Sequence, residues 1–134
     1  MIVVDTNVIA YLYLEGEYSN QVEILLQQDP VWAAPILWRS EFRNVLASYL
    51  RQKIIRLRDA LFIIEKAEKL LAGNEYNISS ESVLKLALDS GCSAYDCEFV
   101  SLAQVLEVPL VTADAKILNK FPKHCVSLKS FATH

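Results

Sequence analysis

Four carboxylates in this 134-residue sequence, Asp5, Glu41, Asp96 and Asp114, occupy positions that could do chemistry. Glu41 is the most telling. An acid on a helix is ordinarily balanced by Lys or Arg three or four residues away, but those positions hold Leu37, Trp38, Asn44 and Val45. Arg39 and Arg43 lie two residues away, where helical side chains diverge. Glu41 therefore needs a partner from elsewhere in the chain. Asp96 closes a Ser93-x-x-Asp96 pattern that reads as a capping box. It also borders an expected apolar stripe of Tyr95, Phe99, Leu102, Ala103 and Leu106, and a carboxylate held half out of water there needs a partner. Asp5 and Asp114 each follow a short apolar run, Ile2-Val3-Val4 and Leu110-Val111-Thr112, with Ala113 intervening in the second. Both read equally well as helix N-caps. Capping leaves one carboxylate oxygen for a cleft.

In a shared cleft four such acids would repel one another until some took up protons. A divalent cation reverses that. Oxygen ligands without His or Cys suit Mg²⁺ or Mn²⁺ and not Zn²⁺, and these ions bridge carboxylates, water and phosphates, which points to phosphodiester chemistry. Other routes lack material. Gly16, Gly73 and Gly91 form no phosphate-cradling loop, and His124 and His134 have no Ser or Cys nucleophile motif beside them. Cys92, Cys97 and Cys125 are too few and too irregular for a disulfide framework or a zinc site; Cys97 reads as a small buried hydrophobe.

The positioning elements can be read in order. Strands are expected at Ile2–Val4, Val31–Ala34 (ended by Pro35), Tyr76–Ile78, Pro109–Thr112 and Cys125–Leu128. Helices are expected from Asp5 to Leu14, from a Ser19 cap to Gln28, over Ile36–Arg51 and Arg58–Ala72, from Ser79 or Ser80 to Ser90 before Gly91, from Ser93 to Leu106, and over Asp114–Phe121. Such alternation predicts an α/β fold, a mostly parallel five-stranded sheet covered on both faces. In an open parallel sheet, sites form beyond the carboxyl ends of the strands where strand order reverses, and Asp5 and Asp114 both follow strands.

Length and composition frame this reading. The chain is expected to be one domain over residues 1–134, with 53% hydrophobic residues and no linker or repeat. No apolar run approaches the ~18 residues of a membrane span. Asp5 interrupts the first apolar stretch and no basic segment precedes it, which argues against a secretory signal. A reduced, cytoplasmic protein is expected. Net charge is −3, yet the charge is uneven. The first 38 residues carry five acids and no Lys or Arg, whereas Arg39–Arg58 holds six basic residues and one acid, Glu41. Arg39, Arg43, Arg51 and Lys53 are candidate RNA contacts, although a solvated helix face explains the same charges.

Four segments resemble the motifs of PIN domains, in the order that family has them: Val3-Val4-Asp5-Thr6-Asn7-Val8, Ser40-Glu41-Phe42-Arg43-Asn44-Val45-Leu46, Ser93-Ala94-Tyr95-Asp96-Cys97-Glu98-Phe99-Val100-Ser101-Leu102-Ala103 and Val111-Thr112-Ala113-Asp114. The resemblance covers essentially the whole chain. It implies a three-layer α/β/α sandwich in which the four acids meet, and ribonuclease activity dependent on Mg²⁺ or Mn²⁺. Chains of this length are similar to VapC toxins, which implies a cognate antitoxin and a homodimer. Carried over, Asp5, Asp96 and Asp114 are metal ligands, Glu41 completes the cluster, and Thr6, Asn7 and Thr112 orient carboxylates or water. Water attack without the ribose 2′-OH would leave a 5′-phosphate and a 3′-hydroxyl. Where some relatives have a further acid, this chain has Ala115-Lys116-Ile117, which leaves the number of metal ions open.

Other classes remain open from sequence. An aspartyl-phosphate phosphatase would want a second Asp two residues after Asp5, where Asn7 stands. A response-regulator-like binding module would want an acid after the third strand, where Ser79-Ser80 follow. A PIN nuclease without an antitoxin, or a PIN fold kept for protein binding, fits the same motifs.

Overall fold

In the computed structural model residues 1–133 are described, and His134 lies outside the described residues. Five strands, β1 (Ile2–Val4), β2 (Trp32–Pro35), β3 (Glu75–Tyr76), β4 (Leu110–Thr112) and β5 (Cys125–Ser127), form one sheet in the order β3-β2-β1-β4-β5. Every neighbouring pair is parallel, so the sheet is wholly and not mostly parallel. Helices α1 (Thr6–Tyr13) and α2 (Ser19–Gln28) link β1 to β2; α3 (Trp38–Arg51) and α4 (Leu57–Leu70) link β2 to β3. Helices α5 (Ser80–Ser90) and α6 (Ala94–Leu106) lead back to β4, α7 (Ala115–Lys120) joins β4 to β5, and a 3-10 helix over Leu128–Thr133 follows. Right-handed crossovers put α1–α4 on one face and α5–α7 on the other. The expected α/β/α layering is borne out.

Val3, Val4, Ala33 and Ala34 are wholly buried, as β-branched and small residues between two layers should be. Trp32, Trp38, Phe42, Phe99, Ile9 and Leu25 fill the space between sheet and helices. The consequence for function lies in the strand order. From β1 the chain steps outward to β2 and β3, then returns to place β4 against the other side of β1. The order therefore reverses between β1 and β4, the pair whose carboxyl ends lead into Asp5 and Asp114.

Three local expectations need correction. Pro35 does not stop β2 from outside but is its last residue, paired with Tyr76. Ala34 and Ile36 donate to the carbonyls of Asn74 and Tyr76 on the β3 side, so the Pro35 nitrogen faces the β1 side, past the last residue paired there, Ala33, where no donor is required. Ser19 does not cap α2; its hydroxyl accepts from the Gly16 N–H and tightens the preceding turn. Tyr95 is 62% exposed and not part of the buried stripe. It lies in the first turn of α6, beyond the apolar covering. The buried face instead takes in Cys97, Val100 and Ser101, because α6 is pressed between the sheet and α5.

Candidate active site

Each of the four acids sits at a helix N-terminus. Asp5 is the N-cap of α1 and Asp114 that of α7, while Glu41 and Asp96 lie in the first turns of α3 and α6. Helices that follow parallel strands begin at the strands' carboxyl ends, and α6 runs from that end back down to feed β4. The backbone N–H groups there favour negative charge, and Asp5 and Asp114 both cap their helices as expected. Glu41 arrives from one helical layer and Asp96 from the other.

A chain of hydrogen bonds ties three of the acids together. The Thr6 hydroxyl donates to Glu41 Oε1 at 2.7 Å, and the Thr6 N–H donates to Asp5 Oδ1 at 2.8 Å. The Thr112 hydroxyl donates to Asp5 Oδ2 at 2.7 Å and accepts from the Asp114 N–H at 3.0 Å. Asp114 Oδ1 accepts from the Lys116 N–H at 2.8 Å and more loosely from that of Ile117. Thr6 and Thr112 thus each join two of the acids through hydrogen bonds. Asn7 reaches Asp5 only at 3.5 Å, and its buried Oδ1 has no hydrogen-bond partner among the described residues. Asp96 enters through its field alone; its own N–H is capped by Ser93 at 3.0 Å.

The electrostatics show how poorly this cluster is balanced. Burial pushes the Asp5 carboxyl up to about 6, against hydrogen bonds from Thr112 and Thr6 that pull it down, with Glu41 and Asp96 pushing further. Glu41 is raised by burial and by Asp96. Asp96 is raised by burial and by Asp114, with Ser93 and then Lys116 opposing. None of the four takes part in an ion pair among the described residues. Glu98, which the sequence reading passed over, joins the group: it is half-buried, raised by burial and then by Glu41. The test applied to Glu41 would have found it, since Glu98 also lacks Lys or Arg three or four residues away.

The donor set suits a hard divalent cation, being oxygen throughout, with an orphaned amide oxygen on Asn7 beside it. As the side chains stand, no three acidic, His or Cys groups among the described residues converge tightly enough to hold an ion. Mg²⁺ does not require that, because it keeps several waters and takes one or two carboxylates plus substrate phosphate.

The basic candidates divide. Arg39 is committed elsewhere: its Nε and second terminal nitrogen hold both oxygens of Glu75 at 2.6 and 2.8 Å, and its other nitrogen holds Glu68. The Trp38 indole donates to the same Glu75 carboxylate at 2.7 Å. This clamp joins α3, α4 and β3. Arg43, Arg51 and Lys53 are exposed and form no ion pair among the described residues.

Comparison with known proteins agrees with the geometry. Ribonuclease VapC3 of Pyrobaculum aerophilum is 31% identical over 124 residues, 90% of this chain and 95% of that protein. Two solved structures share the fold at 17% identity. A toxin–antitoxin complex from Klebsiella pneumoniae superposes with a TM-score of 0.70 over 96% of this chain and 98% of that one. FitAcB from Neisseria gonorrhoeae gives 0.72 over 96% and 99%. The PIN domain model matches residues 2–123, from the first residue of β1 to beyond the last of the four acids, and the chain belongs to the PIN-domain family.

Proposed function

We propose that this chain, as one PIN domain, is a ribonuclease dependent on Mg²⁺ or Mn²⁺ and the toxin half of a toxin–antitoxin pair. The observation that carries the reading is the unbalanced acidic cluster at the reversal between β1 and β4, with Asp5, Glu41 and Asp114 held by Thr6 and Thr112. Similarity to a protein named ribonuclease VapC3 supports the substrate class, and the toxin–antitoxin neighbours support the partner.

In this reading Asp5, Asp96 and Asp114 hold the ion, and Glu41 completes the cluster directly or through water. Thr112 fixes the Asp5–Asp114 edge through one hydroxyl, and Thr6 sets Glu41 against Asp5. The second oxygens of Glu41 and Asp114, which accept none of these hydrogen bonds, would accept a proton from an attacking water or orient it. Bound here, the cation supplies charge neutralisation for the phosphoryl oxygens and a more acidic water. Arg43, Arg51 and Lys53 contact the RNA backbone. The protein works in the cytoplasm, and no helix among the described residues is long and apolar enough to cross a membrane. Exposed Leu57, Leu61 and Phe62 on α4, and Leu84 and Leu88 on α5, give apolar surface for an antitoxin and a second copy of the chain.

The test is RNA cleavage with Mn²⁺, with Mg²⁺ and with chelator. Wild type should cut only with metal and leave 5′-phosphate ends. Asp5→Asn and Asp96→Asn should each lose at least ~100-fold in rate. A 2′,3′-cyclic phosphate product, or undiminished activity in chelator, overturns the reading.

A further inference from the structure

We propose that the groove between α1 and α3 seats a nucleobase of the RNA, on a nucleotide next to the scissile phosphate, against the rings of Tyr11 and Tyr49. The inference rests on the ribonuclease reading above and concerns a part of the substrate that the acidic cluster does not touch.

Helix register makes the groove. Residues four apart on a helix share a face, so Tyr11 follows Asn7 along α1, and Val45 and then Tyr49 follow Glu41 along α3. The Thr6 hydroxyl bond to Glu41 ties the two helices together at the level of the acids. Beyond that tie lies a cavity of about 240 Å³ lined by Asn7, Tyr11, Val45 and Tyr49, with the buried Ala10 and Leu14 beneath. Asn7 belongs to the cavity and to the cluster, since its amide group approaches Asp5 at 3.5 Å. At ~1.5 Å per residue Tyr11 lies ~6 Å along the helix from Asn7. A base joined through one sugar to a phosphate among the acids can span that distance.

The lining decides what the cavity takes. No Lys or Arg lines it among the described residues, whereas Glu15 does, so it does not suit a phosphate. Its walls are apolar and aromatic, and Tyr11 and Tyr49 are only half-buried, which leaves ring surface uncovered. Tyr11 is braced by Tyr18, with ring centroids 5.0 Å apart. Unpaired RNA bases are held by stacking on such rings; every base has a π face, and purines have the larger one. The volume falls short of the roughly 300–1,000 Å³ of clefts that take drug-sized ligands. One ring system fits. Glu15 adds an acceptor for the exocyclic amino group of adenine.

The experiment titrates adenosine 5′-monophosphate, adenosine 3′-monophosphate and ribose 5-phosphate into wild type, Tyr49→Phe, Tyr49→Leu and Tyr49→Ala. Mg²⁺ is present, binding is followed by NMR, and the melting temperature of each variant is recorded. In wild type at least one nucleotide should bind about tenfold more tightly than ribose 5-phosphate, through stacking of its base. Tyr49→Phe should keep that advantage. Tyr49→Ala and Tyr49→Leu should lose most of it while ribose 5-phosphate binds as before. Leucine retains apolar bulk, so a folded Tyr49→Leu separates loss of the ring from loss of packing. In cut mixed-sequence RNA, a purine should stand beside the cut more often with wild type than with Tyr49→Leu. Nucleotides that bind no more tightly than ribose 5-phosphate overturn the proposal and leave the groove to a protein partner. An advantage kept in Tyr49→Leu, or identical cleavage profiles, overturns it too. Base-dependent binding by a wild type that cuts no RNA with either metal removes the ribonuclease reading and leaves the nucleotide seat standing.

Discussion

Asp5 and Glu75 are both carboxylates drawn out of water at the sheet, and their surroundings drive them in opposite directions. Glu75, on the edge strand β3, is held below its ordinary range, chiefly by its hydrogen bond from Arg39 and further by Trp38. Asp5, at the end of the central strand β1, accepts good hydrogen bonds from Thr6 and Thr112 yet rises to about 6. Neutral donors do not offset burial; a cation does. One cluster is closed, its charges matched by the chain, and it serves to hold α3 and α4 to β3. The other is open, with no Lys or Arg paired to its acids among the described residues. Acids perturbed by burial and left without a charge partner are candidates for a functional site.

The largest expected effect is on Asp5. Its folded value of about 6 lies above the unfolded 3.8. Between those values the folded chain binds more protons than the unfolded one, so stability falls as pH rises through this window, by ~3 kcal/mol in all. In chelator, the protein should melt at a higher temperature at pH 5 than at pH 7.5. Asp5→Asn should be more stable than wild type at pH 7.5 and nearly lose that slope, while losing activity. Parallel pH profiles for the two proteins would break the contrast with Glu75.

Arg39→Ala should act in the opposite way, lowering stability by ~2 kcal/mol in denaturant melts. This is less than a fully buried pair would cost, because Arg39 and Glu68 are each about one-third exposed at their side chains. RNA affinity of the folded fraction should stay near wild type. A large loss of affinity with no loss of stability would return Arg39 to the RNA surface. Smallest is the effect of reversing charges on the free cations. Arg51→Glu with Lys53→Glu should weaken RNA binding about tenfold and flatten its salt dependence, leaving melting unchanged. No change in the salt slope would take these residues out of the interface.

Much of the fold could be read along the chain because its signals are local. β-branched runs, Gly91, and Ser or Asp at helix starts marked most elements to within a residue or two of where they form. The acids were found by equally local tests: Asp5 and Asp114 by following apolar runs, Asp96 by bordering an apolar stripe, and Glu41 by lacking a counter-ion within one helical turn. Misreadings arose where a neighbour from far along the chain decides. Tyr95 matches the helical period of a buried stripe, yet no layer reaches far enough to cover the first turn of α6. Arg39 looked like a free basic residue because Glu68 and Glu75 lie 29 and 36 residues away. Glu98 was within reach of the counter-ion test that found Glu41, but only its nearness to Glu41 on another helix places it with the acids.

The sequence by itself determined which segments are strands and helices and which acids lack a local partner, and its oxygen donors raised the expectation of a hard cation. All follow from short-range periodicity and side-chain chemistry. Only the tertiary structure decided that β4 lies against β1, so that the Thr112 hydroxyl meets a carboxylate 107 residues earlier, and which cations are already spent inside the protein. Strand order and charge pairing depend on distances through space, and no spacing along the chain encodes those.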